Sequence, residues 1–407
     1  MIWITFKWLV AFIVVSVVSS LLVTGSHGQE STTDKRIRTR RVFHGKERRF
    51  PASVHVAAAR LAHTTQLLPA DCSLNASSQC VSVLEQLDRT LNLFNSERSN
   101  VVQLNGYVRN SEVRTLLLEQ LIQWSPDGLP AVTCVATRLP ESEALVAIDA
   151  IFASTKAEPA DAPARHTVKD LSGADRVAHV SLLPPGDTVY VSGQAETGNL
   201  AEATYATLES LHRTLQHLKL DKRNIVQVKC FLAPMRDASI VNREIAKFFS
   251  DTKIPPVSHV EWISGSRPIE IELVAWAPKK FATDTVSFAT PPWMKSSPVF
   301  SRVARIHGND RIFVSGIYAE QAGSGEEQVK DIFYNLEHIL EKSNSNLEHL
   351  AKATYYVTAP EASAALNQLR PEYYDPEVPP AASKAMVEDV AYPSRTIMLD
   401  MIAAPAP

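Results

Sequence analysis

Twelve histidines and four cysteines are the side chains of this 407-residue sequence best suited to act as general bases, nucleophiles or metal ligands. Their spacing excludes several familiar sites, because neither H-E-x-x-H nor C-x-x-C occurs, and the serine-hydrolase motif G-x-S-x-G is also absent. His212 and His217 are five residues apart on a predicted helix, so they do not share a face. We therefore expect no metal site.

The four cysteines are too few to form a disulfide framework in a chain of this length. Cys72 and Cys80 lie in a polar stretch rich in serine and asparagine, and they could pair if the protein is exported. Cys134 and Cys230 lie in apolar, strand-like runs. For these two we expect buried, unreactive thiols.

The composition is that of a soluble globular protein, with 45% hydrophobic residues, 21% charged residues and a net charge of −3. This balance gives no general attraction to nucleic acid, which requires a basic surface. The phosphate-binding loops G-x-G-x-x-G and G-x-x-x-x-G-K-[ST] are absent. We therefore expect no nucleic-acid partner and no cofactor, and the length predicts two or three domains.

An apolar run of 16 residues extends from Trp8 to Val23 and follows Lys7. It predicts a secretory signal peptide over residues 1–28. A retained membrane anchor is the alternative, since 16 residues fall just short of the ~20 that a span requires. The basic stretch at 29–50 is interpreted as a solvated linker, although its positive charge favours a cytoplasmic side. We expect export to a periplasmic or extracellular location, or membrane anchoring if the segment is retained.

The sequence contains three copies of one unit. Three strand-like segments align at offsets of 124 and 125 residues: Asn100–Val108, Asn224–Leu232 and Leu350–Val357. Three leucines recur at the same offsets in the amphipathic helix before each segment: Leu87, Leu211 and Leu336. One apolar stripe per helix predicts that each helix packs with one face on a sheet.

Each copy is predicted to run β, β, α, β, α, β, β, which gives a two-layer α+β sandwich with both helices on one face of a mixed sheet. The second helices are predicted at 111–124, 237–250 and 361–374, and the last strand pair of the third copy at 385–390 and 396–403. Proline-rich linkers are predicted at 153–165 and 278–298. The three copies are placed at 51–153, 166–278 and 295–405.

The motifs of the second copy resemble those of the RidA/YjgF family of reactive-intermediate deaminases, formerly called endoribonuclease L-PSP. They are, in chain order, Ser192-Gly193-Gln194, Asn242, Pro255-Pro256 and Ile269-Glu270-Ile271-Glu272. The third copy retains Ser315-Gly316, Asn367 and Pro380. The first copy is the most divergent, with Thr64-Thr65-Gln66 and with Leu117 in place of the asparagine.

The resemblance implies chorismate-mutase-like units that assemble as trimers, with ligand clefts between neighbours. Three copies in one chain would then form an intramolecular pseudo-trimer. The resemblance also implies a reaction, the hydrolysis of enamine or imine intermediates to keto acids and ammonia. In that reaction an arginine binds the substrate carboxylate, and a glutamate positions or activates water.

All three copies lack that arginine, and the positions that match it hold aliphatic side chains: Val132, Val257 and Ala382. A carboxylate buried there without a partner would cost roughly 3–5 kcal/mol. The glutamate is retained as Glu270, and its counterparts are Ala147 and Met398. The family's cysteine position holds Cys134, His259 and Lys384 in the three copies.

The second copy is therefore the best preserved. Its Glu270 and His259 are the candidate catalytic residues, and the candidate ligand-binding residues are Gly193, Gln194, Asn242 and Asn367. Three arginines after the proline turn could replace the lost cation: Arg138, Arg267 and Arg395.

Two hypotheses follow from these residues. The first is a divergent, exported tandem protein that has lost the deaminase reaction and keeps the fold for small-molecule binding or assembly. The alternative is a hydrolase of small molecules that uses one cleft lined by the second copy. Ribonuclease activity fits poorly with the negative net charge.

Overall fold

The computed structural model describes residues 37–44, 49–58, 60–158, 161–171, 176–263 and 266–407. The predicted signal peptide or anchor at 1–28 lies outside the described residues. Within them, no helix combines the length and the apolar character needed to cross a membrane.

The described strands and α-helices follow one order three times: β, β, β, α, β, α, β, β. In the first repeat they are β1 (Arg38–Val42), β2 (Ser53–Ala57), β3 (Leu61–Thr64), α1 (Ala76–Leu93), β4 (Val101–Val108), α2 (Ser111–Trp124), β5 (Ala131–Ala136) and β6 (Val146–Ala153). In the second they are β7 (Ala164–His166), β8 (Val180–Leu182), β9 (Asp187–Gln194), α3 (Leu200–His217), β10 (Ile225–Leu232), α4 (Ala238–Phe248), β11 (Val257–Glu261) and β12 (Ile269–Ala277). In the third they are β13 (Val286–Ala289), β14 (Val303–Ile306), β15 (Asp310–Ile317), α5 (Gly325–Lys342), β16 (Leu350–Val357), α6 (Pro360–Leu369), β17 (Ala381–Met386) and β18 (Ile397–Ala403).

Several local predictions need correction. Three strands rather than two precede the first helix of each repeat, because β1, β7 and β13 form where basic or proline-rich linkers were expected. Helix α6 ends at Leu369 instead of 374, since Pro371 has no N–H to continue the helical hydrogen bonds. Strand β17 spans 381–386 rather than 385–390 and pairs in parallel with β16.

The first helix of each repeat begins at a polar cap and buries one stripe, as its sequence pattern predicted. Asn75, Asn199 and Ser324 each accept a hydrogen bond from the backbone N–H three residues later. The three equivalent leucines have no exposed surface: Leu87, Leu211 and Leu336. Their burial against the sheets confirms the two-layer arrangement.

Three six-stranded sheets exchange strands between repeats. Their orders are β5-β4-β6-β3-β8-β7, β11-β10-β12-β9-β14-β13 and β17-β16-β18-β15-β2-β1. Each sheet takes four strands from one repeat and two from the hairpin that begins another repeat. The hairpin β1–β2 completes the sheet of the third repeat. The exchanged hairpins therefore link the three repeats into a ring, and no repeat completes its sheet alone.

The repeats contact one another in the same way around this ring. The backbone N–H of Val132 donates to Ser315 Oγ over 2.9 Å, and the N–H of Ala382 donates to Ser192 Oγ over 2.8 Å. Val257 N–H donates to Thr65 Oγ1 over 3.2 Å. Repeat 1 thus contacts repeat 3, repeat 3 contacts repeat 2, and repeat 2 contacts repeat 1, which is a pseudo-trimer within one chain.

Polar side chains, rather than apolar ones alone, fill the space between the three sheets. The equivalent carboxylates of the last strands lie there, nearly or fully buried: Asp149, Glu272 and Asp400. Lys352 Nζ pairs with Glu272 Oε1 over 3.0 Å, and Gln103 Nε2 donates to Asp400 Oδ1 over 3.0 Å. Buried charges of this kind require such partners, because their desolvation is otherwise costly.

Asp149 joins two repeats directly. Its oxygens accept from Asn105 Nδ2 at 2.7 Å, Tyr107 Oη at 2.5 Å and Ser258 Oγ at 2.6 Å, and Ser258 belongs to the second repeat. Asp149 is only 2% exposed. Its loss would leave two buried donors, Tyr107 and Ser258, and one half-buried donor, Asn105, without this acceptor.

We expect Asp149→Ala to lower the free energy of unfolding by roughly 3 kcal/mol or more, because each unsatisfied buried donor costs about 1–3 kcal/mol. Urea unfolding followed by circular dichroism measures this. Asp127→Ala, in an exposed turn, is the matched control and should change stability little. Equal midpoints for the two variants would contradict this account of the ring.

Candidate functional site

Sheet register makes the three positions that were predicted to match the family arginine equivalent to one another. The parallel pairs Leu104–Val132, Val228–Val257 and Ala353–Ala382 are equivalent in the three repeats. The same register makes Ala147, Glu270 and Met398 equivalent on the last strands, opposite Tyr107, Phe231 and Tyr356. Each repeat therefore has one position predicted to match the family arginine and one predicted to match the family glutamate.

The predicted arginine position and the predicted glutamate position of one repeat do not lie in the same cleft. Gly193 N–H of repeat 2 donates to Ser383 Oγ of repeat 3 over 3.2 Å, and Glu270 lies against the same hydroxyl. We call this the 2–3 cleft; it joins Gly193 and Glu270 to Ala382 and Lys384. By the same contacts, the 1–3 cleft joins Val132 and Cys134 to Ser315 and Gly316. The 1–2 cleft joins Val257 and His259 to Thr65 and Gln66.

Glu270 packs directly on Gly193. A Cβ added at Gly193 would lie 2.0 Å from Glu270 Oε1 and 2.7 Å from Ser383 Oγ, so a side chain would displace the carboxylate. Burial, followed by the neighbouring Glu272 carboxylate, raises the pKa of Glu270 to about 7, although Ser383 and Lys384 oppose the shift. A carboxyl group with this pKa can both give and accept a proton near neutral pH.

Lys384 places a cation two residues beyond the lost arginine in the 2–3 cleft. Its Nζ donates to Ser363 Oγ and to Asn367 Oδ1, both over 2.9 Å. Burial, followed by the charge of Arg370, lowers the pKa of Lys384. Asn367, predicted as a ligand-binding residue, is therefore a partner of this lysine; both residues belong to repeat 3, whereas Glu270 belongs to repeat 2.

His259 lies in a different cleft from Glu270. It is on β11, whereas Glu270 is on β12, and β10 separates the two strands. His259 is 5% exposed, burial lowers its pKa to about 4, and its Nε2 has no hydrogen-bond partner. Its backbone pairs with the side chain of Gln66 from repeat 1. The structure thus does not bring together the two predicted catalytic residues.

The remaining predicted ligand-binding residues also lie apart. Gln194 donates from Nε2 to Thr214 Oγ1 of helix α3 over 3.1 Å, which directs it toward the helix layer. Asn242 is exposed on helix α4. Gly193 is therefore the predicted residue that lies beside Glu270.

The 1–3 cleft contains a cavity of about 220 Å³. Its lining residues include Val132, Cys134 and Gly316. Met398, at the glutamate position, packs against Gly316. Burial raises the pKa of the Cys134 thiol to about 11, so the thiol is protonated at neutral pH. These residues offer neither the family cation nor a group that exchanges protons near neutral pH.

A different arginine supplies a cation to this cavity. Arg114 extends from helix α2, with its guanidinium carbon 5.0 Å from the ring centre of Tyr392 and 5.7 Å from that of Tyr318. Its Nε is buried and has no hydrogen-bond partner. The Tyr318 hydroxyl lies 3.1 Å from the carbonyl oxygen of Cys134. The cavity therefore contains a cation close to two aromatic rings, and the Nε of this arginine is still able to donate a hydrogen bond.

Arg114 was not predicted as a site residue, because it lies in a helix rather than in a family motif. A signal was present, since Arg114 precedes Leu117 by three residues and residues at this spacing share a helix face. Leu117 stands at the family's asparagine position. The face that carries the asparagine in the family therefore carries this arginine.

The three arginines considered as replacements are engaged elsewhere. Arg138 approaches Glu261 at 3.6 Å, and Arg395 donates to the carbonyl oxygens of Ala319 and Glu320. Arg267 contacts the carbonyl of Ser266. Among the described residues, no group of three or more His, Cys, Asp or Glu side chains is arranged to hold a metal ion. The four cysteines, including Cys72 and Cys80, are free thiols, and Cys134 and Cys230 are buried, as predicted.

Comparison with known proteins gave one family and a set of solved structures. The model of the family Endoribonuclease L-PSP matches residues 175–277 and 294–404, just over half of the chain. No match was found among curated proteins.

Three of the bacterial structures that are similar to this chain serve as examples. One is NMB1025 of the YjgF protein family from Neisseria meningitidis, with 20% identity, a TM-score of 0.24, and coverage of 30% of this chain and 96% of that one. The YjgF gene product from E. coli has 24% identity, a TM-score of 0.21 and coverage of 22% and 81%. E. coli TdcF with bound serine has 20% identity, a TM-score of 0.22 and coverage of 23% and 82%.

The raised pKa of Glu270 predicts a pH-dependent cost to stability. The folded chain binds this proton more tightly than the unfolded chain, so stability falls as the pH rises from about 4.5 to about 7. Glu270→Gln removes the charge. We expect the variant to gain about 1–3 kcal/mol over the wild type between pH 5 and pH 8.

Thermal and urea unfolding across this pH range measure the gain. Glu119→Gln, an exposed change on helix α2, is the control. A constant difference between Glu270→Gln and the wild type at all pH values would show that the carboxyl group does not titrate in this window.

Proposed function

The chain belongs to the endoribonuclease L-PSP (RidA/YjgF) family, and from that premise we propose that it binds a small molecule in the 1–3 cleft and has lost the family's deaminase reaction. The observation that carries this proposal is the cavity of about 220 Å³ beside Val132 and Met398. Val132 cannot bind a carboxylate as arginine does, and Met398 cannot transfer a proton. A cavity with these side chains can bind a small molecule but lacks the two groups that the deaminase reaction uses.

The proposed ligand is a small carboxylate. Arg114 has a buried Nε without a partner, and a planar guanidinium binds a carboxylate through parallel hydrogen bonds. Tyr318 and Tyr392 add aromatic surface next to the cation. A ligand with a carboxylate and a short apolar body, such as pyruvate or benzoate, matches both features.

Hydrolysis in the 2–3 cleft is the second candidate function. One observation favours it: Glu270, whose pKa is raised to about 7, shares this cleft with the Lys384 cation. Lys384 would bind the substrate carboxylate in place of the lost arginine, and Glu270 would exchange protons with water. The reaction would then depend on Glu270 and Lys384 rather than on Glu270 and His259.

We also propose that the protein is exported, or stays membrane-anchored if residues 1–28 are retained. The support is the apolar run of 16 residues near the N-terminus. Sequencing the N-terminus of the natural protein tests this proposal, and a mature chain with an intact N-terminus in a soluble cytoplasmic fraction would contradict it.

The binding proposal predicts that Arg114→Gln weakens the binding of pyruvate and benzoate at least about 10-fold, because a charge-assisted pair contributes about 1.5–3 kcal/mol. Isothermal titration calorimetry with the full chain measures this. Arg89→Gln removes an exposed arginine from helix α1 and should leave binding unchanged. Equal affinity in Arg114→Gln and wild type, or no binding of either acid, would contradict the proposal.

The loss of deamination predicts that the full chain releases no more ammonia from 2-aminoacrylate than buffer does. A coupled glutamate dehydrogenase assay measures the release. Ammonia above the buffer rate that disappears in both Glu270→Ala and Lys384→Met, but not in His259→Ala, would instead establish the second candidate function.

A further inference from the structure

Another group of reactive side chains lies outside the three clefts, where the hairpin β13–β14 completes the sheet of repeat 2. Ser287 is on β13, His307 follows β14, and Asp187 begins β9. Ser287 Oγ lies 2.8 Å from His307 Nε2, and His307 Nδ1 lies 2.9 Å from Asp187 Oδ2. A hydroxyl, an imidazole and a carboxylate are thus connected in the order that serine hydrolases use.

The contacts fix the tautomer of the imidazole. A carboxylate can only accept a hydrogen bond, so the Nδ1 of His307 must carry the proton that Asp187 accepts. In the neutral ring, Nε2 is then the acceptor, and the hydroxyl of Ser287 must donate to it. This is the protonation state in which an imidazole can remove the proton from a serine nucleophile.

Asp187 holds the ring from a buried position. Its side chain has no exposed surface, and that of His307 is 9% exposed. The carboxylate also accepts from the Arg305 guanidinium at 2.8 Å, from Gly308 N at 3.1 Å and from Lys280 N at 3.2 Å. These bonds fix its position, so Asp187 is a positioning residue, whereas exposed Ser287 is free to meet a substrate.

The fold does not require this arrangement. Sheet register places Ser287 opposite Arg305, and Arg305 opposite Val189. In the third sheet, Arg40, Ala57 and Asp310 occupy the places of Ser287, His307 and Asp187. That sheet forms with an arginine and an alanine at these positions, so a junction of this kind does not need the serine and the histidine.

Ser287 and His307 line a groove of about 750 Å³. Apolar surface comes from Leu218, Phe281 and Phe288, and Phe281 is 91% exposed. Lys219 and Lys280 also line the groove, and none of its described lining residues is an aspartate or a glutamate. The groove therefore favours a ligand with an apolar part and a negative charge.

We propose that this groove is an esterase site for carboxylic esters that carry an anionic group, with Ser287 and His307 as its catalytic residues. Ser287 Oγ attacks the ester carbonyl carbon while its proton passes to His307 Nε2. The carbon–alkoxy bond then breaks, and the alcohol leaves with that proton. Water next attacks the acyl-serine and gives a proton to His307, the acyl–Oγ bond breaks, and the proton returns to Ser287.

The test uses the full chain and mono-4-nitrophenyl succinate, with the release of 4-nitrophenolate as the readout. We expect a rate above buffer that falls roughly 100-fold or more in Ser287→Ala and in His307→Gln, since a positioned general base contributes about 10²–10⁴-fold. Labelling with a fluorophosphonate and peptide mass mapping should place the label on Ser287. The neutral ester 4-nitrophenyl acetate should show a lower kcat/KM, because it lacks the negative charge.

Two control variants keep the test specific. Ser296→Ala removes another exposed serine of the same segment, and Thr283→Ala removes an exposed hydroxyl close to Ser287 in the sequence; both should keep the wild-type esterase rate. The proposal is overturned if the wild type is no faster than buffer, if Ser287→Ala retains the wild-type rate, or if the label lies elsewhere. Equal kcat/KM for the two esters would overturn the assignment of an anionic substrate. Because Ser287 is exposed, its variant should fold, so a destabilised His307→Gln would not obscure the result.

Discussion

Each cleft depends on one repeated contact, in which a backbone N–H at the family's arginine position donates to a hydroxyl of a neighbouring repeat. Ser315, Thr65 and Ser192 are the acceptors in the three interfaces. Because the donor is a backbone group, the contact survives when the side chain at that position changes. The contact between repeats therefore does not depend on the side chain at this position, and the three clefts can carry different side chains there.

The ring is held together by polar and covalent constraints as well as by apolar burial. Asp149 accepts hydrogen bonds from residues of two repeats, and the Lys352–Glu272 pair joins the third repeat to the second. The exchanged hairpins add backbone pairing between repeats, with β1–β2 closing the ring. Since all three units belong to one chain, their association is intramolecular, and symmetry no longer forces the clefts to be alike.

That freedom allows the three clefts to hold different chemical groups. The carboxyl group remains in the 2–3 cleft with Glu270, the cavity and the thiol are in the 1–3 cleft, and the 1–2 cleft holds the neutral His259. New cations, Lys384 and Arg114, come from different elements in two of the clefts. The exchanged hairpin β13–β14 adds a serine and a histidine to a groove that the other sheets do not form in the same way.

The sequence by itself determined the three repeats, the helices with their buried leucine stripes and the α+β class, because each depends on residue type and local periodicity. It did not reveal the strand exchange, since hydrogen bonds between distant backbone segments such as β2 and β15 leave no local pattern. Tertiary structure also decided which residues of two neighbouring repeats share a cleft. Glu270 faces Lys384 rather than His259, because the two edges of one repeat contact different neighbours. For the same reason, Arg114 and the Ser287–His307–Asp187 group could be recognised as sites only after folding had brought their elements together.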